Sequence, residues 1–271
     1  MISLLLIFCT VMKMNINTLA CDLDGTLLIN GAKTVSEEDL MLIEKLIDKG
    51  LFFVAASGRQ YANLRKLFYP FANRIGYICE NGCLSIIGDK IVDKAVMETD
   101  IAHKIIDRGR LRNGCEILVS GVNTCYVEPK DMSYYSHMVN YVGNVTEISD
   151  NLKEIPEDFF KVSIFEKDGI FDLDYWKEEF GQCCNVVAGT DCWIDITPLG
   201  VNKGSALKIL LDNGGYSAEE AMAIGDNEND IEMLKEAGWP VIMKSSNPVL
   251  FGMEKMRTET VTEMLKKLLA E

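Results

Sequence analysis

Imidazoles and cations are scarce in this chain. Its 271 residues include two histidines, and 27 lysines and arginines stand against 41 aspartates and glutamates. His103 and His137 lie apart, neither in a pattern with metal-ligand spacing, so neither is expected to be a catalyst. A formal net charge of −14 and a pI near 4.7 argue against partnership with nucleic acid or with an anionic membrane, both of which need basic surface. A small phosphorylated metabolite is still admissible as partner, because one local lysine or arginine and a metal ion outweigh a distant negative surface.

The nine cysteines are odd in number and form no C-x-x-C pair, which excludes an obvious disulfide framework or zinc site. Cys21, Cys79 and Cys125 lie in apolar runs, where a free thiol acts as a small hydrophobe, so a reducing, cytoplasmic location is expected. No internal repeat, low-complexity tract or long linker is present. Residues 2–12 are apolar, but the run is shorter than a membrane span and lacks a basic flank or cleavage site. Residues 1–13 are therefore read as an upstream extension, Met12 and Met14 being alternative starts and a weak uncleaved anchor the competing reading. Nothing in the sequence assigns an oligomeric state.

What is present is an alternation of apolar runs and amphipathic stretches. Residues 16–22 form an apolar run that stops at Asp22-Leu23-Asp24-Gly25-Thr26, so a buried strand would deliver two carboxylates to its C-terminal end. Ser36 and Asp39 have the spacing of a helix start, and Leu40, Ile43, Leu46 and Ile47 continue as a helical stripe that Gly50 ends. Leu51-Phe52-Phe53-Val54-Ala55-Ala56 suits a parallel strand buried on both faces and ends at Ser57-Gly58-Arg59. A third strand at 75–79 ends at Glu80-Asn81-Gly82. This pattern predicts an α/β fold with a doubly wound, Rossmann-like parallel-sheet core whose strand ends share one edge.

From residue 83 to 189 the pattern changes to strand-like runs at 84–87, 117–120, 125–128, 162–165 and 185–188, with helical segments near 100–109, 131–141 and 172–180. This predicts an inserted α+β cap domain over 83–189, splitting the core into 14–82 and 190–271. The α/β pattern resumes with Trp193-Ile194-Asp195-Ile196-Thr197, then Asn202-Lys203-Gly204 opening a helix. Ala221-Met222-Ala223-Ile224 leads into Gly225-Asp226-Asn227-Glu228-Asn229-Asp230, a strand at 240–243 is expected to be the last, and an amphipathic helix from Thr260 closes the chain.

Carboxylates with an oxygen-rich shell suit a hard cation such as Mg²⁺. A lysine, a serine hydroxyl and helix-start N–H groups suit phosphate oxygens. Two carboxylates at i and i+2 suit a nucleophile and a general acid/base. Each residue also has a plainer reading: Asp22 and Asp24 as a turn, Ser57 as a helix cap, Arg59 as a solvated helix start, Asn81 as a turn residue and Lys203 as a surface lysine.

Taken in order, Asp22-Leu23-Asp24-Gly25-Thr26, Ser57-Gly58-Arg59, Lys203-Gly204 and the 225–230 stretch, with an inserted module between the second and third, resemble the haloacid dehalogenase superfamily, specifically the Cof-like (class IIB) phosphatases. The resemblance implies a Mg²⁺-dependent phosphatase working through an aspartyl phosphate. Asp22 would be the nucleophile and Asp24 the acid/base. Asp22, the Asp24 carbonyl and Asp226 would hold the metal. Ser57 would bind phosphate with Gly58, Lys203 would screen charge, Asn229 would position phosphate or metal-bound water, and Asp230 would orient Lys203. Arg59 and Asn81 would reach the substrate. An Asp at position 24, where the resembling ion pumps carry Thr, favours hydrolysis over a lasting phosphoenzyme. Sugar phosphates are the foremost expected substrates, with FMN-like or pyridoxal phosphate esters as further candidates. The alternatives are a sugar phosphomutase and a noncatalytic metabolite-binding protein on the same fold. Among the aromatic residues Tyr134, Tyr135, His137 and Trp193, none is assigned to specificity.

Overall fold

The computed structural model describes residues 14–271 apart from 123, 170, 171 and 191; the expected extension at 1–13 lies outside the described residues. Eight strands form one sheet in the order Met256–Thr258, Trp239–Met243, Ala221–Gly225, Thr18–Asp22, Phe52–Ala56, Gly76–Cys79, Leu84–Ile87, Lys90–Lys94. The first six are parallel and the last two antiparallel. Thr18–Asp22 and both its neighbours are buried throughout, as expected of strands covered on two faces.

Alternation along the first strand distributes its side chains between two cores. Leu19 and Cys21 pack with Ile43, Leu46, Phe53 and Leu265 beneath the helices Glu37–Asp48 and Val261–Ala270. Ala20 joins Val54, Ile78, Leu207, Leu210 and Leu234 beneath Lys203–Gly214 and Ile231–Glu236. The first strand pairs with Phe52–Ala56 on one side and Ala221–Gly225 on the other, so the winding reverses at Thr18–Asp22, the place where open α/β sheets bind ligands.

A second sheet has the order Cys184–Thr190, Trp193–Pro198, Phe159–Glu166, Cys115–Gly121, Cys125–Val127, Thr146–Ile148. Helices Thr99–Leu111 and Leu173–Phe180 cover one face through Ile105, Ile106, Ile117, Ile164, Trp176 and Phe180. The other face carries Ser120, Lys161, Ser163 and Asp195 toward the C-terminal edge of the first sheet. Among the described residues no helix is long and apolar enough to cross a membrane.

The runs 84–87 and 193–197 exchange the places expected of them. Leu84–Ile87 turns back antiparallel on Gly76–Cys79 and stays in the first sheet, followed by Lys90–Lys94. Trp193–Pro198 turns back on Cys184–Thr190 and stays in the second. The chain thus passes between sheets after Lys94 and after Pro198, not at 82/83 and 189/190. A hairpin needs only a tight turn, whereas leaving a sheet needs a longer connection, so each run remains with the strand before it. Trp239–Met243 is not the last strand, since Met256–Thr258 adds beyond it. The expected helix at 131–141 consists of Met132–His137 continued by a wider π-turn, Met138–Val142.

Candidate active site

Asp22 ends the first strand with 4% of its surface exposed. The chain turns sharply after it, with Gly25 at φ +92°, and a Cβ on Gly25 would overlap the Asp226 carboxylate. Only glycine permits both that backbone and that approach. Thr26 Oγ1 then donates to Asp226 Oδ1 at 2.9 Å, joining the first strand's turn to the turn after Ala221–Gly225.

Lys203 opens a helix capped by Asn202 and Ser205, each side chain bonding the other's backbone N–H, which aims the lysine inward. Its ammonium is wholly buried, 2.5 Å from Asp22 Oδ1 and 2.7 Å from Asp230 Oδ1. Asp230 Oδ2 accepts from the backbone N–H groups of Asp226 and Asn227 at 2.9 and 3.1 Å, so both its oxygens are engaged. Burial opposes the charge on Lys203, but Asp22 and Asp230 outweigh it and hold the pKa above the ordinary lysine range. Burial, then Asp230, push the Asp22 carboxyl well above its ordinary range against the pull of Lys203. Burial also raises Asp226, against the Thr26 hydrogen bond.

Asp22, Asp226 and Asp230 present oxygens within 4.8 Å of one another. Three carboxylates therefore converge on one ammonium, and Asp22 Oδ2 is buried without a hydrogen-bond partner. A hard divalent cation supplies the missing positive charge and accepts oxygen donors, so the residues present fit one.

On the opposite side Ser57 follows Phe52–Ala56, buried, with its hydroxyl accepting from the Arg59 N–H at 3.2 Å. The next helix, Tyr61–Leu67, begins after Gln60, so Ser57 is not its cap. Arg59 reaches Asp24 through two hydrogen bonds, Nε to Oδ2 at 2.9 Å and Nη2 to Oδ1 at 2.5 Å. The Asp24 side chain is 56% exposed, in contrast to Asp22 two residues earlier. Asn229 Nδ2 donates to Asn81 Oδ1 at 3.2 Å.

Asp22, Asp24, Ser57, Gly58, Arg59, Asn81 and Asn229 line one cavity of about 980 Å³ between the sheets. Lys203, Asp226 and Asp230 stand behind it, tied to Asp22 and to each other, so none of the ten residues singled out in the sequence is scattered. Of the four aromatic residues left unassigned, Trp193 lines the cavity, and Tyr134 is buried against Phe165 and Trp193.

Sequence reasoning missed Thr26, Glu80, Lys161, Ser163 and Asp195. A signal existed for two of them: Lys161 and Asp195 are charges flanked on both sides by apolar residues inside strands, a placement that requires a buried partner.

The family described as haloacid dehalogenase-like hydrolase matches residues 19–264. A 5-amino-6-(5-phospho-D-ribitylamino)uracil phosphatase of Escherichia coli, YbjI, is 30% identical, over 94% of this chain and 97% of its own length. A solved structure from Eubacterium rectale superposes with a TM-score of 0.84 at 26% identity, covering 94% of this chain and 99% of that one. The HAD subclass IIB sugar phosphatase BT4131 superposes with a TM-score of 0.78 over 94% of this chain and 100% of its own, and at 20% identity that is a likeness of fold.

Proposed function

The chain belongs to the haloacid dehalogenase-like hydrolases, as a phosphoric monoester hydrolase acting on small phosphorylated metabolites, and from that premise we propose that it works through a phosphoryl group carried on Asp22 with Mg²⁺ as cofactor. The observation that carries this reading is the orphaned Asp22 Oδ2, held at the cavity wall while Oδ1 is fixed by Lys203.

Asp22 Oδ2 attacks phosphorus and the bond from phosphorus to the leaving oxygen breaks. Asp24, exposed at the cavity, gives that oxygen a proton. Asp24 then takes a proton from water, whose oxygen attacks phosphorus and frees the Asp22 carboxylate and inorganic phosphate. Lys203 lowers the repulsion between the two anions, Asp230 keeps it in place, and Ser57 and Asn229 hold phosphate oxygens. Arg59 aligns Asp24. Mg²⁺ would be held by the carboxylates of Asp22 and Asp226 and the main-chain carbonyl of Asp24, and supplies positive charge for the phosphate oxygens.

For the leaving group we favour a phosphate ester of a polyhydroxylated chain, a sugar or sugar alcohol. The YbjI relative acts on a phosphorylated ribityl chain by its name, and amide side chains of Asn63, Asn140 and Asn144 line the cavity beside Trp193 and Tyr141. Such amides donate and accept, as hydroxyls require. The described cysteines are free, which supports the cytoplasm as location.

The test is phosphate release from an aryl phosphate and from a panel of sugar and sugar-alcohol phosphates. Mg²⁺-dependent release is expected from the wild type and its loss from Asp22→Asn; turnover unchanged in that variant contradicts the assignment. Isomerisation of a sugar phosphate without phosphate release would identify a phosphomutase instead.

A further inference from the structure

A second buried ammonium lies where the two sheets meet. Lys161, on Phe159–Glu166, is 2.6 Å from Glu80 Oε2 and 3.3 Å from Asp195 Oδ2, and it donates to the Gly58 carbonyl at 3.3 Å. Asp195 Oδ1 accepts from Ser163 Oγ at 2.6 Å and Oδ2 also from Asn81 Nδ2 at 3.0 Å. Asn81 in turn accepts from Asn229, and its backbone N–H donates to the Ser57 carbonyl at 3.1 Å. The Asn81 amide lies against Gly58 so closely that a Cβ there would sit 3.1 Å from both its polar atoms.

Two hydrogen-bonded routes thus lead from the second sheet into the phosphate-binding turn. One runs from Lys161 to Gly58; the other runs from Asp195 through Asn81 to Ser57 and Asn229. Lys161 donates to the Gly58 carbonyl and to Asp195 Oδ2 and pairs with Glu80 Oε2, and both Asp195 oxygens are engaged, which leaves these groups poorly suited to recognising a leaving group. Glu80 and Asn81 hold consecutive left-handed conformations, φ +50° and +56°, although neither is glycine. Such backbone persists only where the surroundings over-determine it, here through the side-chain bonds just named.

We propose that Lys161, Ser163 and Asp195 are positioning residues, through which the second sheet sets the Ser57-Gly58-Arg59 turn and Asn229 in their phosphate-binding geometry. The inference rests on the phosphatase reading above. It makes the inserted sheet part of the catalytic framework as well as a cover for the cavity, so that phosphate binding is complete only when the sheets are docked.

The test compares Asp195→Asn, Lys161→Met, Lys161→Arg and Ser163→Ala with the wild type. It measures kcat and KM on p-nitrophenyl phosphate and on a bulky sugar phosphate, inhibition by orthovanadate, and thermal unfolding. Misplaced phosphate ligands lower kcat by about tenfold to a hundredfold on both esters alike in Asp195→Asn and Lys161→Met. Vanadate inhibition weakens in step, and Lys161→Arg recovers most of the loss. Ser163→Ala, which removes one hydrogen bond and keeps the charges, lowers kcat about fivefold and carries the test if the charge variants do not fold.

A raised KM confined to the bulky ester, with kcat intact, would overturn the proposal in favour of leaving-group recognition. Activity losses matched by the loss of folded protein, with Ser163→Ala at full kcat, would reduce these residues to a structural role and overturn it too. A wild type inert toward both esters would sink the phosphatase reading itself, a result distinct from active variants of an active wild type.

Discussion

Among the described residues two lysines are buried, each between two carboxylates, and they differ in how those carboxylates are engaged. Lys203 lies within the first sheet's edge between Asp22 and Asp230, and beside it Asp22 Oδ2 has no hydrogen-bond partner. Lys161 lies between the sheets, between Glu80 and Asp195, and both Asp195 oxygens are taken by Lys161, Ser163 and Asn81. In both clusters burial opposes the ammonium charge and the carboxylates restore it. A buried ion pair is thus not by itself a reactive centre. On the proposed mechanism the first cluster reacts because Asp22 pairs with Lys203 through Oδ1 and leaves Oδ2 available to a cation or to phosphorus. In the second, Glu80 Oε2 also lacks a hydrogen bond but lies 2.6 Å from the Lys161 ammonium, and both Asp195 oxygens are taken.

The largest effect that tests this contrast is removal of Lys203. Lys203→Met leaves two buried carboxylates facing each other, and a loss of about 3–5 kcal/mol of stability is expected in denaturant unfolding. Phosphatase activity should fall by at least about a hundredfold. A variant of wild-type stability would mean that these carboxylates are not held in opposition.

A smaller effect concerns pH. The Asp22 carboxyl is raised in the folded chain, so its contribution to stability is fully present below its unfolded pKa and is lost as pH rises through the folded one. In chelator at neutral pH, Asp22→Asn should therefore melt a few degrees above the wild type, about 2–4 °C per kcal/mol at this size, with the gap closing toward acid pH. Saturating Mg²⁺ should close the gap from the other side by stabilising the wild type. A gap that is insensitive to both pH and metal would break the link between burial and metal binding.

The smallest effect reports on the second cluster. Burial, then Glu80, push the neighbouring Cys125 thiol up to about 12, whereas Cys183 is exposed. Native alkylation followed by mass spectrometry should modify Cys183 first and leave Cys125 unmodified, since the thiolate is the nucleophile. Equal rates at the two would show that the region around Lys161 and Glu80 is open to solvent.

The first cluster was legible in the sequence and the second was not, for a physical reason. Strands buried on both faces read as apolar runs, and the abrupt polar clusters after 22, 56 and 225 mark their ends at one edge, so Asp22, Ser57 and Asp226 stand out. Lys161 and Asp195 are charges set between apolar neighbours within antiparallel strands, and partners of each come from a turn some eighty to more than a hundred residues away in sequence, as the Lys161–Glu80 and Asp195–Asn81 pairs show. Short apolar runs such as 84–87 and 193–197 likewise carry no record of which sheet they join, because hairpin pairing is decided by the preceding strand. For Arg59 and Asn81, where turn and substrate readings stood side by side, the geometry adds partners neither reading named: Asp24 for Arg59, and both Asn229 and Asp195 for Asn81.

That Asp22 carries the phosphoryl group is tested most directly in an Asp24→Asn variant with p-nitrophenyl phosphate, whose leaving group departs without the proton Asp24 is proposed to give; the variant retains the nucleophile and lacks the proposed base that activates water. The variant would be mixed with substrate and Mg²⁺, quenched in acid, digested and sequenced by mass spectrometry. A phosphoryl adduct on Asp22, absent from Asp22→Asn treated in the same way, is the expected result; an adduct on any other residue, or turnover at the wild-type rate with no adduct at all, would contradict it.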